Sequence, residues 1–281
     1  MSLLRLSPFR CLLPHLALVI ALACGLPALA QEQDRENQPA SGAEEEDPAQ
    51  DRYRRCMDLA RNEPEKGLAA ANLWQDEPES PPAAEHCAAE ALIGLERYAE
   101  AAEQLRALAD EVPDSRRAHL LADIGWAWMM AEQPEKAYEV QSEALEQLPE
   151  DVELYIDRSI SLADMGRYWE SVDDLNRAHD LAPERADILS LRASAYRRVD
   201  APQLALDDIL RARELSPEDV GLKIQEGIMR AELGQAVRAA TLWQQVINAQ
   251  PGTRAARIAR QNLEQLEGPE TSEMPEAGSG E

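Results

Sequence analysis

Between residue 51 and about residue 267, apolar residues return every three or four positions, as they do on the buried stripe of an α-helix. No stretch alternates apolar and β-branched with polar residues, so nothing supports strands. Two segments lack any apolar period. Residues 31–50 and 268–281 are rich in Glu, Pro, Ser and Gly, and read as a disordered acidic leader and a disordered acidic tail. The chain between them reads as all-α.

The helical region carries a repeat. Pro149, Pro183, Pro217 and Pro251 are evenly spaced, at intervals of about 34 residues. Proline ends the helix before it, and Asp151 or Asp219 just beyond can accept from the free N–H groups that open the next helix. Other residues keep the same phase. Residues 152–185 hold Tyr155, Leu162, Gly166-Arg167-Tyr168, Ser171, Leu175 and Ala178; residues 186–219 hold Ala193, Tyr196, Ala205, Ile209 and Ala212. Residues 220–253 hold Gly227, Gly234, Ala239, Trp243 and Val246, and residues 118–151 hold Gly125, Trp128, Ala137 and Ala144. Upstream, residues 82–113 and 51–78 follow the pattern more loosely. After Pro251, Arg254–Leu266 predicts a single amphipathic helix with Ile258, Leu263 and Leu266 on one face, the form of a solenoid's cap.

Such a period, with an early aromatic, a glycine-x-aromatic turn, small residues at the helix crossings and a closing proline, resembles the tetratricopeptide repeat. The resemblance covers residues 51–267 and implies a right-handed α-solenoid of about six helix pairs plus a C-terminal capping helix. Gln141 and Arg230 depart from it by placing polar groups where apolar ones are usual, and Pro134 and Pro202 replace the turn aromatic. The resemblance also implies a concave groove, lined by the first helix of each pair, that takes up peptides. The matching positions are His119, Trp126 and Met129, then Glu153, Ile156 and Ile160, then Asp187, Ser194 and Arg197, then Ile224 and Ile228. Trp126 and Trp128 point about 200° apart on one helix. With Trp128 at the core position, Trp126 points the other way, either into the groove or against a neighbouring helix. The Lys/Asn clamp of chaperone-binding relatives is absent.

The first thirty residues read as a targeting device. Arg5 and Arg10 precede the apolar run 11–23, Gly25 and Pro27 break it, and Ala28-Leu29-Ala30 has the small-x-small form of a cleavage site. Cleavage there leaves Gln31 first, and the run is too short to hold as a membrane span. The alternative is a membrane-tethered structural lipoprotein anchored through Cys24, since Leu22-Ala23-Cys24 loosely resembles a lipobox. Ala21 and Leu22 fit that pattern poorly.

Charge narrows the partner. The formal net charge of −25 becomes about −27 once the signal's two arginines leave, a surface that repels nucleic-acid phosphates and anionic membranes. The expected partner is a protein or peptide, with no nucleic acid and no membrane insertion; oligomeric state is left open. Export also bears on the cysteines. Cys11 and Cys24 leave with the signal, so Cys56 and Cys87 remain, an even pair that favours a disulfide in an oxidising compartment. Within the resemblance they fall on neighbouring first helices, where a bond would tie down the most degenerate repeat. Two unpaired buried thiols are the alternative.

Chemistry finds no constellation. His86 and Cys87 are adjacent on a helix and so point about 100° apart, and His86, His119 and His179 have no ligand spacing. Asp173-Asp174 and Asp207-Asp208 are placed on the solvated outer face. No catalytic, metal or cofactor site is expected. The resemblance and the signal together imply an exported scaffold or adaptor, periplasmic or secreted, serving cell-envelope biogenesis.

Overall fold

A computed structural model describes residues 47–77 and 82–268. The expected signal peptide, Cys24, most of the acidic leader and all of the tail beyond Gly268 lie outside the described residues. Thirteen helices occupy the described residues, with no strand among them. They run α1 Pro48–Asn62, α2 Pro64–Gln75, α3 Pro82–Gly94, α4 Tyr98–Glu111, α5 Asp114–Met130, α6 Pro134–Gln147 and α7 Val152–Asp164. Then follow α8 Tyr168–Leu181, α9 Ala186–Arg198, α10 Pro202–Leu215, α11 Val220–Glu232, α12 Ala236–Ala249 and α13 Arg254–Glu267. Consecutive helices pack as antiparallel pairs, and each pair packs on the next. Six pairs and a last single helix result. Helix α1 opens at Pro48, inside the segment read as leader, because Asp47 caps it by accepting from the Ala49 N–H.

The period is visible in the backbone. First helices α7, α9, α11 and α13 begin one full period apart, as do second helices α6, α8, α10 and α12. Helix α5 keeps this phase from Ala118 but starts one turn early, at Asp114, and runs 17 residues against 13 for α7. Asp151, Asp219 and Thr253 cap α7, α11 and α13 as their phase requires. Arg185, at the same place before α9, caps nothing.

From α3 to α12, the turn within each pair contains one residue in the left-handed region: Glu96, Glu132, Gly166, Asp200 and Gly234. The N–H of the following residue reaches back along the ending helix, for example Arg167 to the Leu162 carbonyl at 2.8 Å and Gln133 to that of Trp128 at 2.9 Å. These bonds satisfy carbonyls that the ending helix leaves open. Pro134 and Pro202 become the first residues of α6 and α10, where a fixed φ is favourable and no N–H is needed. Replacing the turn aromatic therefore leaves the turn unaltered.

Close approach of the paired helices depends on one facing pair per repeat. Trp243 lies over Gly227, where an added Cβ would come within 2.3 Å of its ring nitrogen, and that nitrogen donates to the Ile224 carbonyl at 3.1 Å. At the same positions of the three preceding repeats stand Ala193 with Ile209, Ser159 with Leu175, and Gly125 with Gln141. The smallest residues face Trp243 and Gln141. Gln141 is 1% exposed, and its side chain would lie 2.7 Å from a Cβ on Gly125. Its amide oxygen accepts from Ser161 at 2.7 Å. In α13 the buried side is Ala256 and Ala259 with half-buried Leu263 and Leu266; Ile258, expected beside them, turns outward and is 37% exposed.

Candidate functional site

Cys56 of α1 and Cys87 of α3 are joined by a disulfide, with Cα atoms 6.0 Å apart and both side chains buried. One turn from Cys56, Tyr53 meets His86, hydroxyl to Nδ1 at 2.6 Å, with the rings stacked. Burial raises the Tyr53 pKa, so the phenol keeps its proton. His86 is thus occupied with Tyr53, and Cys87 with Cys56. Arg52 adds two hydrogen bonds to Glu77, at 2.9 and 2.6 Å, and lies over the Trp74 ring. The disulfide and the Tyr53–His86 contact hold the most degenerate repeat to α3, while Arg52 ties α1 to α2 within that repeat.

Two acidic residues expected on the outer face turn inward. Asp174 and Asp208 are 7% and 8% exposed, and each takes two hydrogen bonds from an arginine of the preceding helix. Arg158 reaches Asp174 at 2.8 and 2.7 Å and Ser142 at 3.2 Å; Arg192 reaches Asp208 at 2.7 and 2.7 Å and Asn176 at 2.9 Å. Every member of the second set lies one full repeat after its counterpart. A third charged group is buried one repeat on, where Glu226, 3% exposed, lies between Arg213 and Arg230. This accounts for Arg230 at an apolar position: its stem packs inward while its guanidinium meets Glu226. The Arg158–Asp174 and Arg192–Asp208 pairs sit between paired helices, Arg213–Glu226 joins one pair to the next, and Arg230–Glu226 lies within α11; all are structural.

The groove positions divide. His119 and Ser194 are exposed, and Trp126, Met129, Ile160 and Ile228 are half-buried. Trp126 meets Tyr98 of α4 edge-on, with ring centroids 5.9 Å apart, and Ser161 bonds the Met129 sulfur at 3.0 Å. Met130 beside it is 42% exposed. Ile156 and Ile224, expected to line the groove, are 6% and 7% exposed and belong to the core. Ile156 packs with Ile188 of α9, and Ile224 with Ala259 of α13, so the next first helix covers each.

Arg197 is exposed but engaged. Its Nε donates to Glu232 at 2.5 Å, and Arg198 donates to the Tyr168 hydroxyl at 2.6 Å from above its ring. Arg197, Arg198, Asp200, Pro202 and Glu232 line a cleft of about 440 Å³. Glu153 and Asp187 both pair with Arg185, which holds the Asp187 carboxyl below the usual range. Asp164, at the end of α7, has its pKa raised by burial. What this face offers is apolar around Trp126, Met130 and Ile160, and internally paired charge around Arg197. Among the described residues no helix is long and apolar enough to cross a membrane, and no three His, Cys, Asp or Glu side chains could hold a metal ion.

Paired helices in one repeating phase, with left-handed turns inside the pairs and a proline between them, define a solenoid of the tetratricopeptide-repeat fold. No protein-family model and no curated protein sequence matches the chain. Solved structures do. MamA is 14% identical with a TM-score of 0.52, over 62% of this chain and 95% of that one. MamA 41-end from Desulfovibrio magneticus RS-1 is 17% identical with a TM-score of 0.53, over 63% and 93%. YrrB, described as a TPR protein with an unusual peptide-binding site, is 20% identical with a TM-score of 0.49, over 59% and 88%.

Proposed function

We propose that this solenoid is an exported scaffold that binds another protein, or a peptide segment of one, along the face of its first helices. Its place is the periplasm, in the service of cell-envelope biogenesis, and its work is binding and not catalysis. The observation that supports this most is the apolar surface left on α5 and α7. Trp126, Met129 and Ile160 are only half-buried, and Met130 is 42% exposed. Aromatic and Met side chains of this kind carry much of the energy of protein interfaces. His119, Ser194, Arg197 and Ile228 extend the same face. The disulfide is compatible with an oxidising compartment.

Capture from envelope extracts tests the reading. Trp126→Ala and Ile160→Asp should each lose a partner that the unaltered chain retains, and Trp169→Ala, removing an exposed ring outside those positions, should keep it. Unchanged capture by Trp126→Ala and Ile160→Asp rejects the face. Mass analysis of the native N-terminus tests export separately: a Gln31 start agrees with a cleaved soluble product, and a diacylated Cys24 replaces it with a tethered one.

A further inference from the structure

Met130 in α5, Asp164 in α7 and Arg198 in α9 occupy one position in three consecutive first helices, each a full period after the last. An apolar, an acidic and a basic side chain thus follow one another across the stack. Met130 is 42% exposed, and Asp164 and Arg198 are exposed as well. The helices that carry them are neighbours. Ser161 of α7 bonds the Met129 sulfur of α5, and Ile156 of α7 packs with Ile188 of α9.

The two charges of this row are not neutralised from within. Among the described residues no base pairs with Asp164 and no carboxylate with Arg198. Most other arginines of the solenoid are tied to acids, as Arg97 to Glu100, Arg106 and Arg117 to Glu143, and Arg167 to Glu170. Glu232, the same position in α11, is taken by Arg197, so the open part of the row ends at Arg198. Solvent reaches Asp164, yet its surroundings partly dehydrate the carboxyl and push its pKa upward, with no cation to offset them. A partner's ammonium or guanidinium would relieve that. Arg198 is already held in place. It lies 4.9 Å from the centre of the Tyr168 ring and donates to that hydroxyl at 2.6 Å, leaving its other N–H donors for an acceptor. A guanidinium fixed in advance loses less freedom on binding.

Apolar surface adjoins only one end of the row. Trp126, Ile160 and Ser194 stand one turn earlier on the same helix faces, four residues before Met130, Asp164 and Arg198 in turn. Trp126 and Ile160 are half-buried, whereas Ser194 is exposed. The face therefore grades from hydrocarbon on α5 to charge on α9. Spacing selects the backbone that can read it. Packed helices lie about 10 Å apart. A polyproline II chain presents every third side chain on one side at intervals of about 9 Å. A β-strand presents every second one, at about 7 Å, and falls out of step.

We propose that the partner of this face is an extended, polyproline II-like peptide segment carrying an apolar, then a basic, then an acidic side chain at every third residue. The apolar side chain covers Met130 beside Trp126, the base meets Asp164, and the acid meets Arg198. This rests on the first-helix face being the binding surface, and it adds the chemistry of what that face selects.

A library of random dodecapeptides displayed on phage, selected on the mature chain in dilute salt, is the probe. Enriched sequences should carry an aliphatic or aromatic residue, Lys or Arg three residues along, and Asp or Glu three further, in either chain direction. Selection on the double variant Asp164→Lys with Arg198→Glu should return the same spacing with the two charges exchanged. A peptide from the first selection should bind that variant at least tenfold more weakly. If circular dichroism shows the double variant unfolded, Asp164→Asn alone should remove the requirement for the base. No enrichment overturns the proposal, as does enrichment without this order or the same sequences from both chains. Trp126→Ala separates the two readings. Peptides that need Trp126 but lack the charge order leave the face standing and reject its ligand chemistry. Peptides without the order that also bind Trp126→Ala unchanged reject both.

Discussion

Arg158 holds Asp174 through two hydrogen bonds of 2.8 and 2.7 Å, and the same clamp recurs in the next repeat between Arg192 and Asp208. One repeat earlier these two positions are Ile124 and Val140, an apolar pair in the same place. Ion pair and hydrocarbon thus fill equivalent sites in one molecule.

That equivalence sets the first prediction. Asp174→Val alone leaves Arg158 largely buried without its partner and should cost about 3 kcal/mol. Arg158→Ile with Asp174→Val copies the Ile124/Val140 repeat and should return to within about 1 kcal/mol of the parent, or exceed it. Urea unfolding of the two singles and the double measures the coupling. A double variant as unstable as the sum of the singles would show that the site requires charge.

Gly227 and Trp243 give the second. A methyl at residue 227 would press on the indole at 2.3 Å, well inside contact distance. Gly227→Ala should therefore destabilise by about 2 kcal/mol through overpacking. Combining it with Trp243→Leu, which imitates Leu175 over Ser159, should recover much of that loss in thermal melts.

Much of this architecture is legible in the chain, and the exceptions have physical causes. Prolines and small residues keep one phase because each breaks a helix or lets two helices cross, whatever its neighbours. The left-handed turns are half visible: glycine marks residues 166 and 234, while Glu132 and Asp200 carry the same φ without advertising it. A lone acid on a helix reads as surface, which is why the pattern puts Asp174 and Asp208 outside. The signal that betrays them is the matched spacing, one repeat, of both arginines and both aspartates. Ile156 and Ile224 defeat the pattern for another reason: a first helix buries the residue that the next first helix covers, and no local pattern records that contact.

Turn residues carry the third prediction. Glu132 and Glu96 sit at φ 58° and 57°, where a side chain costs about 1 kcal/mol that glycine avoids. Glu132→Gly should accordingly stabilise the fold, offset in part by the freer unfolded chain, and raise the melting temperature by a degree or two. Gly166→Ala and Gly234→Ala should lower it. Opposite signs at equivalent positions of one repeat are the required result.

The disulfide carries the fourth. Cys56 and Cys87 are 31 residues apart, so reduction should cost about 4 kcal/mol in the chain-entropy account. The loss should stay local, since α1 and α2 lie at one end of a stack where each pair touches only its neighbours. Hydrogen exchange on reduced protein should quicken in residues 48–75 and leave α7–α12 unchanged. Tyr53→Phe should add to the effect by freeing His86 from its hydroxyl partner.

Acid should act on the solenoid in two opposed stages. Asp164 has its pKa raised by burial, and Glu85 by burial and then by Glu111, so each charged form opposes folding. That opposition is present above the raised folded pKa and is relieved as pH falls through it. Asp187, held down by Arg185, and Glu143, where Arg106 and Arg117 outweigh the effect of burial, behave the other way. Their contribution is full above the unfolded carboxylate range and is lost as pH falls through their depressed folded pKa values. Self-repulsion at a net charge of −25 also eases on acidification. Stability should consequently rise from pH 8 toward mildly acidic conditions and fall only below the ordinary carboxylate range. Glu85→Gln should stabilise the protein at pH 8 and shrink the rise, while Arg185→Gln should leave that rise unchanged and weaken the later fall. Melting temperatures across pH 3–8 for the three proteins decide it. A parent curve that falls steadily from pH 8 downward would show that the depressed carboxylates outweigh the raised ones throughout.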